Sequence, residues 1–209
     1  MAGFKSVVCY RTGLDVSAVP NRPAVIAAMN GVYQRFRSKR KNEPLRLADK
    51  PLNDLVVRKT VKIAAQYNKP GMVLLFFPYY CPQNAQHEIL FLMPLYLHPP
   101  LAVQFHTGLG DADITLTHAS AAHLQPLIVA NPKTTFVLLH ASYPYMREAG
   151  YLTAMYKNVY LDIGEVFPTV SGRGQEAVMR QVLELTPTNK VMWSSEHILA
   201  LHCSSRDIE

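Results

Sequence analysis

The sequence is organised around one stretch, Val103-Gln104-Phe105-His106-Thr107-Gly108, in which an apolar run ends in a histidine, a hydroxyl and a glycine. A second stretch further along, Phe136-Val137-Leu138-Leu139-His140-Ala141, again carries a histidine at the end of an apolar run. Runs of this kind, bounded by turn residues, are typical of buried strands. Parallel strands that each deliver a histidine at the carboxyl end can build one site at the mouth of a barrel. We therefore predict that His106 and His140 share a pocket.

The composition indicates one ordinary domain, because 209 residues with 49% hydrophobic content can bury a sizeable core. Lys and Arg total 21 against 15 Asp and Glu, a formal net charge of +6. Much of that surplus lies in one short stretch, Arg35 to Lys41, which we interpret as the solvated end of a helix. A nuclear-import or nucleic-acid patch is the alternative interpretation of this stretch. We expect no nucleic-acid partner.

The cysteines favour a reducing compartment. Cys9, Cys81 and Cys203 are odd in number, widely separated and not in metal-ligand spacing, so we expect a cytoplasmic protein. The most apolar region, Met72 to Val103, is interrupted by prolines and by a polar segment. It falls short of the roughly 18 uninterrupted apolar residues that a membrane span needs. No membrane partner is expected.

The order of predicted elements favours an α/β fold. A strand over Ser6–Tyr10 and amphipathic helices over Pro23–Phe36 and Leu52–Tyr67 come first. A hydrophobic segment at about 71–103 then breaks the rhythm, and we treat it as an insertion. Alternation of strands and helices returns afterwards and is typical of parallel βα units. The predicted strands end near His106 and His140 or span 159–163 and 191–195, and the predicted helices span 120–129, 145–156 and 175–184.

Histidines and a carboxylate from separate strand ends would suit a metal-dependent hydrolase. Such an enzyme needs a cation to lower the pKa of water and a base to take its proton. Glu196 directly follows the strand over 191–195, in the same position as the two histidines, although a surface glutamate is the alternative. Asp162, inside a predicted strand, is a further candidate that could instead cap a loop. Taken singly, a histidine of this kind is more often a hydrogen-bonded structural residue, but recurrence in equivalent positions on successive strands favours function.

Two arginines are candidates for binding a substrate carboxylate. Arg147 begins a helix after the His140 strand, and a salt bridge with Glu148 or Asp162 is the equally favoured alternative. Arg11 lies at the end of the first predicted strand. The sequence contains no Walker loop, no Gly-x-Ser-x-Gly elbow and no dinucleotide fingerprint.

These residues together resemble the amidohydrolase-related proteins, specifically the FluG-like and nodulin-like branch found fused to glutamine-synthetase-like domains. The combination in order is far more specific than any single motif. The motifs that carry the resemblance are Phe4-Lys5-Ser6, Tyr10-Arg11-Thr12-Gly13-Leu14, Gln104-Phe105-His106-Thr107-Gly108-Leu109-Gly110-Asp111, Leu138-Leu139-His140-Ala141, Tyr143-Pro144-Tyr145, Arg147-Glu148-Ala149, Asn158-Val159-Tyr160-Leu161-Asp162 and Lys190-Val191-Met192-Trp193-Ser194-Ser195.

The resemblance implies a partial TIM-type (β/α)8 barrel over residues 1–209, comprising about the C-terminal five βα units. It implies that His106 binds a divalent metal, zinc by expectation, and that His140 helps to activate water or substrate. Glu196 would stand where the family has its last-strand aspartate, as metal ligand and catalytic group. The strand-one His-x-His pair is absent, and residues 197–209 form a divergent tail, so metal binding in such a truncated form would be weak or absent.

Two functions follow as expectations. The first is hydrolysis of a C–N or similar bond of a small-molecule substrate by a metal-activated water. The second is a catalytically inactive barrel remnant that serves as a binding or signalling module linked to glutamine-synthetase-like proteins. Because half a barrel leaves an open parallel edge, a homo-oligomer is also expected.

Overall fold

The computed structural model describes residues 3–39, 45–66 and 101–194. Its five strands form one parallel sheet in the order β1-β2-β3-β4-β5, so that each strand pairs with the next one along the chain. The strands are β1 (Gly3–Ser6), β2 (Ala102–Phe105), β3 (Thr135–Leu138), β4 (Val159–Asp162) and β5 (Val191–Met192). Sequential parallel order with intervening helices is the arrangement of a TIM-type barrel, in agreement with the predicted partial barrel; within the described residues, α-helices follow the first four strands.

Six α-helices lie among the described residues and connect the strands. The first two precede β2, and the others alternate with the later strands as predicted. Their bounds are α1 (Arg22–Ser38), α2 (Lys50–Gln66), α3 (Gln125–Ala130), α4 (Met146–Met155), α5 (Val166–Thr169) and α6 (Gly172–Leu185). None of the helices in the described ranges is long and apolar enough to cross a membrane.

Alternation along the strands divides the core into two layers. Phe105, Phe136 and Leu138 belong to the large buried cluster that also contains helix residues such as Val61 and Leu152. A smaller cluster on the opposite face contains Ala102, Val137 and Leu139, with Tyr160 and Met192 packed against it. Successive side chains of a strand point to opposite faces, so the histidines that follow β2 and β3 lie at the carboxyl edge between these layers.

The first predicted strand was misplaced. The observed strand is Gly3–Ser6, and Val8–Tyr10 forms a 3₁₀ turn instead. The last bond between β1 and β2 runs from the His106 N–H to the Ser6 carbonyl, and the chain turns after it. Val8 and Cys9 are part of that turn, and their apolar side chains are buried.

Helix α1 forms where predicted, but its apolar side is not a core face. No residue of α1 is buried in the structure. Ile26, Met29 and Phe36 are all more than half exposed. The predicted insertion lies largely outside the described residues, as do Cys81, Cys203 and the predicted tail at 197–209.

We predict that shortening a side chain in the large buried cluster strongly lowers the stability of the fold. Phe136 has no exposed surface, and its ring centroid lies 5.9 Å from that of Phe105. Phe136→Ala should lower the free energy of unfolding by about 3–5 kcal/mol because it leaves a cavity, measured by urea denaturation. Val129→Ala is the matched control, since Val129 is 57% exposed. Equal losses in the two variants would contradict this assignment of the core.

Candidate metal centre

The two strand-end histidines meet. Nε2 of His140 lies 2.9 Å from Nδ1 of His106, and the ring centroids are 4.4 Å apart. Both residues are almost completely buried, with relative exposures of 0% for His140 and 6% for His106. The structure thus brings together the pair that the sequence places at the ends of neighbouring strands.

The remaining nitrogen of each ring has a different partner. Nε2 of His106 donates to the carbonyl oxygen of Leu109, which leaves Nδ1 of a neutral His106 as an acceptor facing His140. Nδ1 of His140 lies 2.9 Å from a carboxylate oxygen of Glu165. The contact joins an imidazole nitrogen to a carboxylate oxygen and becomes an ion pair when the His140 ring is protonated.

Backbone geometry places His140 in an unusual turn. His140, Ala141 and Ser142 have φ values of 63°, 50° and 54°, which form a left-handed turn of three consecutive residues that carry side chains. Each such residue costs on the order of 1–3 kcal/mol, and strain of this kind clusters at functional sites. The Thr107 hydroxyl donates to the Leu139 carbonyl at 2.7 Å and joins the two strand ends beneath the turn.

Burial sets the electrostatics of His106. Loss of solvent lowers the pKa of His106 to about 4, and the neighbouring His140 acts in the same direction. Close contact with His140 lowers the pKa of Glu165, although burial acts against it. The centre therefore combines an imidazole that stays neutral with a carboxylate that stays charged.

Tyr10 covers the other side of the His106 ring. The two ring centroids are 4.5 Å apart, so His106 lies between Tyr10 and His140. Burial, together with the charges of Asp111 and Glu165, raises the pKa of Tyr10. Its hydroxyl is therefore protonated at neutral pH.

The two predicted arginines have partners other than this pair. The exposed Arg11 donates to the carbonyl of Tyr10 at 3.3 Å. Arg147 pairs with Glu184 of α6 at 3.1 Å and is 68% exposed, so its partner is neither Glu148 nor Asp162. Substrate contacts by these arginines remain predictions.

The two predicted carboxylates have different outcomes. Asp162 is buried and accepts the Gly164 N–H at 3.1 Å and the Ser194 hydroxyl at 2.8 Å, which is the loop-capping alternative. Glu196 lies outside the described residues, so its role remains a prediction. Within the described ranges, no group of three or more His, Cys, Asp or Glu side chains is arranged to hold a metal ion.

Sequence reasoning missed Glu165. It follows β4 by three residues and reaches the same edge of the sheet as the two histidines. His106 and His140 are polar side chains at the carboxyl ends of strands, and Glu165 meets the same criterion when the turn after each strand is counted with the strand end. Tyr10 was missed because the first strand was placed over it.

Comparisons with known proteins agree with this geometry. The sequence pattern of the amidohydrolase family matches residues 101–207, about half of the chain, and this range includes both histidines and Glu165. The chain belongs to the amidohydrolase family. The TIM-type barrel, part of which the five strands form, is the fold that this membership implies, so the earlier resemblance is confirmed.

Two relatives define the extent of the match. The chain is 42% identical over 198 residues to the protein FluG of Emericella nidulans, covering 94% of this chain and 19% of FluG. A crystal structure described as that of a metal-dependent hydrolase from Lactobacillus casei superposes with a TM-score of 0.65 at 27% identity. That match covers 93% of this chain and 41% of the hydrolase. The chain therefore spans well under half the length of either relative.

We predict that Gly108 is needed to hold the His140 turn. Gly108 has φ 66°, and a Cβ there would lie 2.2 Å from the Tyr143 carbonyl oxygen and 2.5 Å from that of Ser142. Gly108→Ala should reduce the free energy of unfolding by more than about 1 kcal/mol, measured by urea denaturation. Gly172→Ala, whose Cβ would meet nothing within 4 Å, should be close to neutral. A neutral Gly108→Ala variant would refute the prediction.

Proposed function

We propose that the chain is part of a metal-dependent hydrolase in which His106 holds a divalent metal ion and His140 handles the proton of the attacking water. One observation carries the proposal. The inner nitrogens of the two rings face each other, while the outer nitrogens contact a backbone carbonyl and a carboxylate. Metal-ligating histidines characteristically have their second nitrogen bonded to partners of these two kinds.

The donors fit a metal ion of the borderline class. Neutral imidazole nitrogen suits zinc and related divalent ions, and Nδ1 of His106 is the nitrogen left without a backbone partner. We propose zinc as the ion. Glu196 is retained as a proposed further ligand and catalytic carboxylate, on the strength of its position after β5 in the sequence.

A bound divalent ion would lower the pKa of water and polarise the scissile carbonyl of a C–N or similar bond. His106 would hold the ion through Nδ1, and the neighbouring Nε2 of His140, 2.9 Å from Nδ1 in this structure, would be the group that takes the proton of the water. The Glu165 carboxylate stabilises the positive charge that this transfer creates on the His140 ring. Complete burial of His140 excludes bulk water from the proton transfer.

Wider properties are proposals of the same kind. We propose a small-molecule substrate, with Arg11 and Arg147 as contacts for a substrate carboxylate. Odd and widely separated cysteines support a cytoplasmic location. In the part of the chain that the structure describes, β1 and β5 are the edge strands of the sheet, and exposed parallel edges support a homo-oligomer. A link to glutamine-synthetase-like proteins rests on resemblance to the FluG branch.

Metal titration of the purified chain tests the proposal. Zinc binding, followed by isothermal titration calorimetry, should be weakened at least about tenfold in His106→Ala, because the imidazole ligand is lost. In His140→Ala, hydrolysis of simple amides should be lost. His123→Ala is the matched control, since the exposed His123 contacts the Thr117 carbonyl and the His118 ring and neither histidine of the pair.

Two results would contradict the proposal. One is zinc binding that His106→Ala and His123→Ala weaken equally, which would point to adventitious coordination by surface histidines. The other is the absence of measurable zinc or manganese binding by the unmodified chain. Either result would favour the non-catalytic binding module over the hydrolase.

A further inference from the structure

Glu165 is held in a conformation that its residue type disfavours. Its φ and ψ are 65° and −24°, in the left-handed region that glycine adopts without cost. An L residue persists there only where the surroundings over-determine it, and such residues are concentrated at functional sites. The preceding residue, Gly164, has no side chain, so Glu165 is the residue of this pair that supplies a carboxylate.

A dedicated turn supports this conformation. The Asp162 carboxylate accepts the Gly164 N–H at 3.1 Å and the Ser194 hydroxyl at 2.8 Å, which ties the turn to the end of β5. A Cβ on Gly164 would lie 2.1 Å from the Ser194 hydroxyl oxygen, so the turn closes only over glycine. The direction in which Glu165 leaves the sheet is therefore constrained by contacts between the end of β4 and the segment that follows β5.

The carboxylate that this turn presents contacts His140. One oxygen of Glu165 lies 2.9 Å from Nδ1 of His140, whose side chain is completely buried. A carboxylate beside one imidazole nitrogen favours a hydrogen on that nitrogen. The opposite nitrogen, Nε2, then faces His106 with the ring orientation fixed.

From these contacts we infer that Glu165 is a positioning residue, which holds a hydrogen on Nδ1 of His140 and fixes the orientation of its ring so that Nε2 faces the ion-binding nitrogen of His106. The inference rests on the proposed function, because it deepens the role given there to His140. The lowered pKa of Glu165 agrees with it, since the same contact keeps the carboxylate charged. Asp162, Gly164 and Ser194 form the support of this arrangement.

Nitrogen NMR of the metal-free chain tests the inference directly. Long-range ¹H–¹⁵N spectra of histidine-labelled protein report which nitrogen carries the hydrogen, and His140→Asn assigns the relevant signals. Glu165→Gln keeps the size of the side chain but removes its charge. We expect the His140 signals to shift toward the tautomer protonated at Nε2 alone, and zinc affinity to fall about tenfold to hundredfold, as for other partners of ligating histidines.

Two further variants separate positioning from support of the fold. Glu165→Asp keeps the charge and tolerates a left-handed conformation more easily, so it should retain the wild-type tautomer pattern in part. Glu184→Gln removes an exposed carboxylate that pairs with Arg147 and should change neither signal nor affinity. If the residue served only the backbone turn, Glu165→Gln would match the wild type and Glu165→Asp would be equal or better.

The outcomes distinguish this inference from the proposed function. An unchanged His140 spectrum in Glu165→Gln would overturn the positioning role, whatever the metal titration gives. A shifted spectrum together with zinc binding that is insensitive to His106→Ala would uphold the positioning role and refute the metal centre. A shifted spectrum with a parallel loss of zinc affinity would support both.

Discussion

The spacing of the candidate centre depends on the parallel ladder between β2 and β3. Phe105 pairs with Leu138, and the Leu139 N–H donates to the Phe105 carbonyl at 3.0 Å, just before each strand reaches its histidine. This register places His106 and His140 at one edge of the sheet. A slip of one residue would move a histidine to the opposite face of the sheet, so the pairing of the rings is a consequence of strand register.

Rigid strands stabilise the strained turns that follow them. Leu138 and Leu161 have no exposed surface, and they lie just before the left-handed residues at 140–142 and 165. Conformations of this kind persist only when packing around them is over-determined. The large buried cluster, to which Leu138 and Leu161 belong, therefore has a second role beyond stability. It fixes the directions in which His140 and Glu165 leave the sheet.

The predictable part of the molecule is the part that rests on local pattern. Apolar runs that end in turn residues predicted β2 and β3, and with them the proximity of His106 and His140. The same rule misplaced β1, because the apolar Val8 and Cys9 are buried in a 3₁₀ turn and not in a strand. Periodicity likewise predicted α1 but not the exposure of its apolar side. Glu165 escaped because it lies three residues beyond β4, and its contact with His140 depends on a left-handed turn that its residue type disfavours.

The two histidines differ in a way that argues for separate roles. A neutral carbonyl, that of Leu109, accepts from His106, and burial keeps the His106 ring uncharged, so its second nitrogen retains a lone pair for a ligand. His140 has a carboxylate beside it, and a carboxylate stabilises an imidazole that gains a proton. A metal ligand must be deprotonated, whereas a group that accepts a proton from water must tolerate positive charge. The outer partners of the rings thus agree with the proposed division of roles, ion binding by His106 and proton transfer by His140, although their inner nitrogens are only 2.9 Å apart.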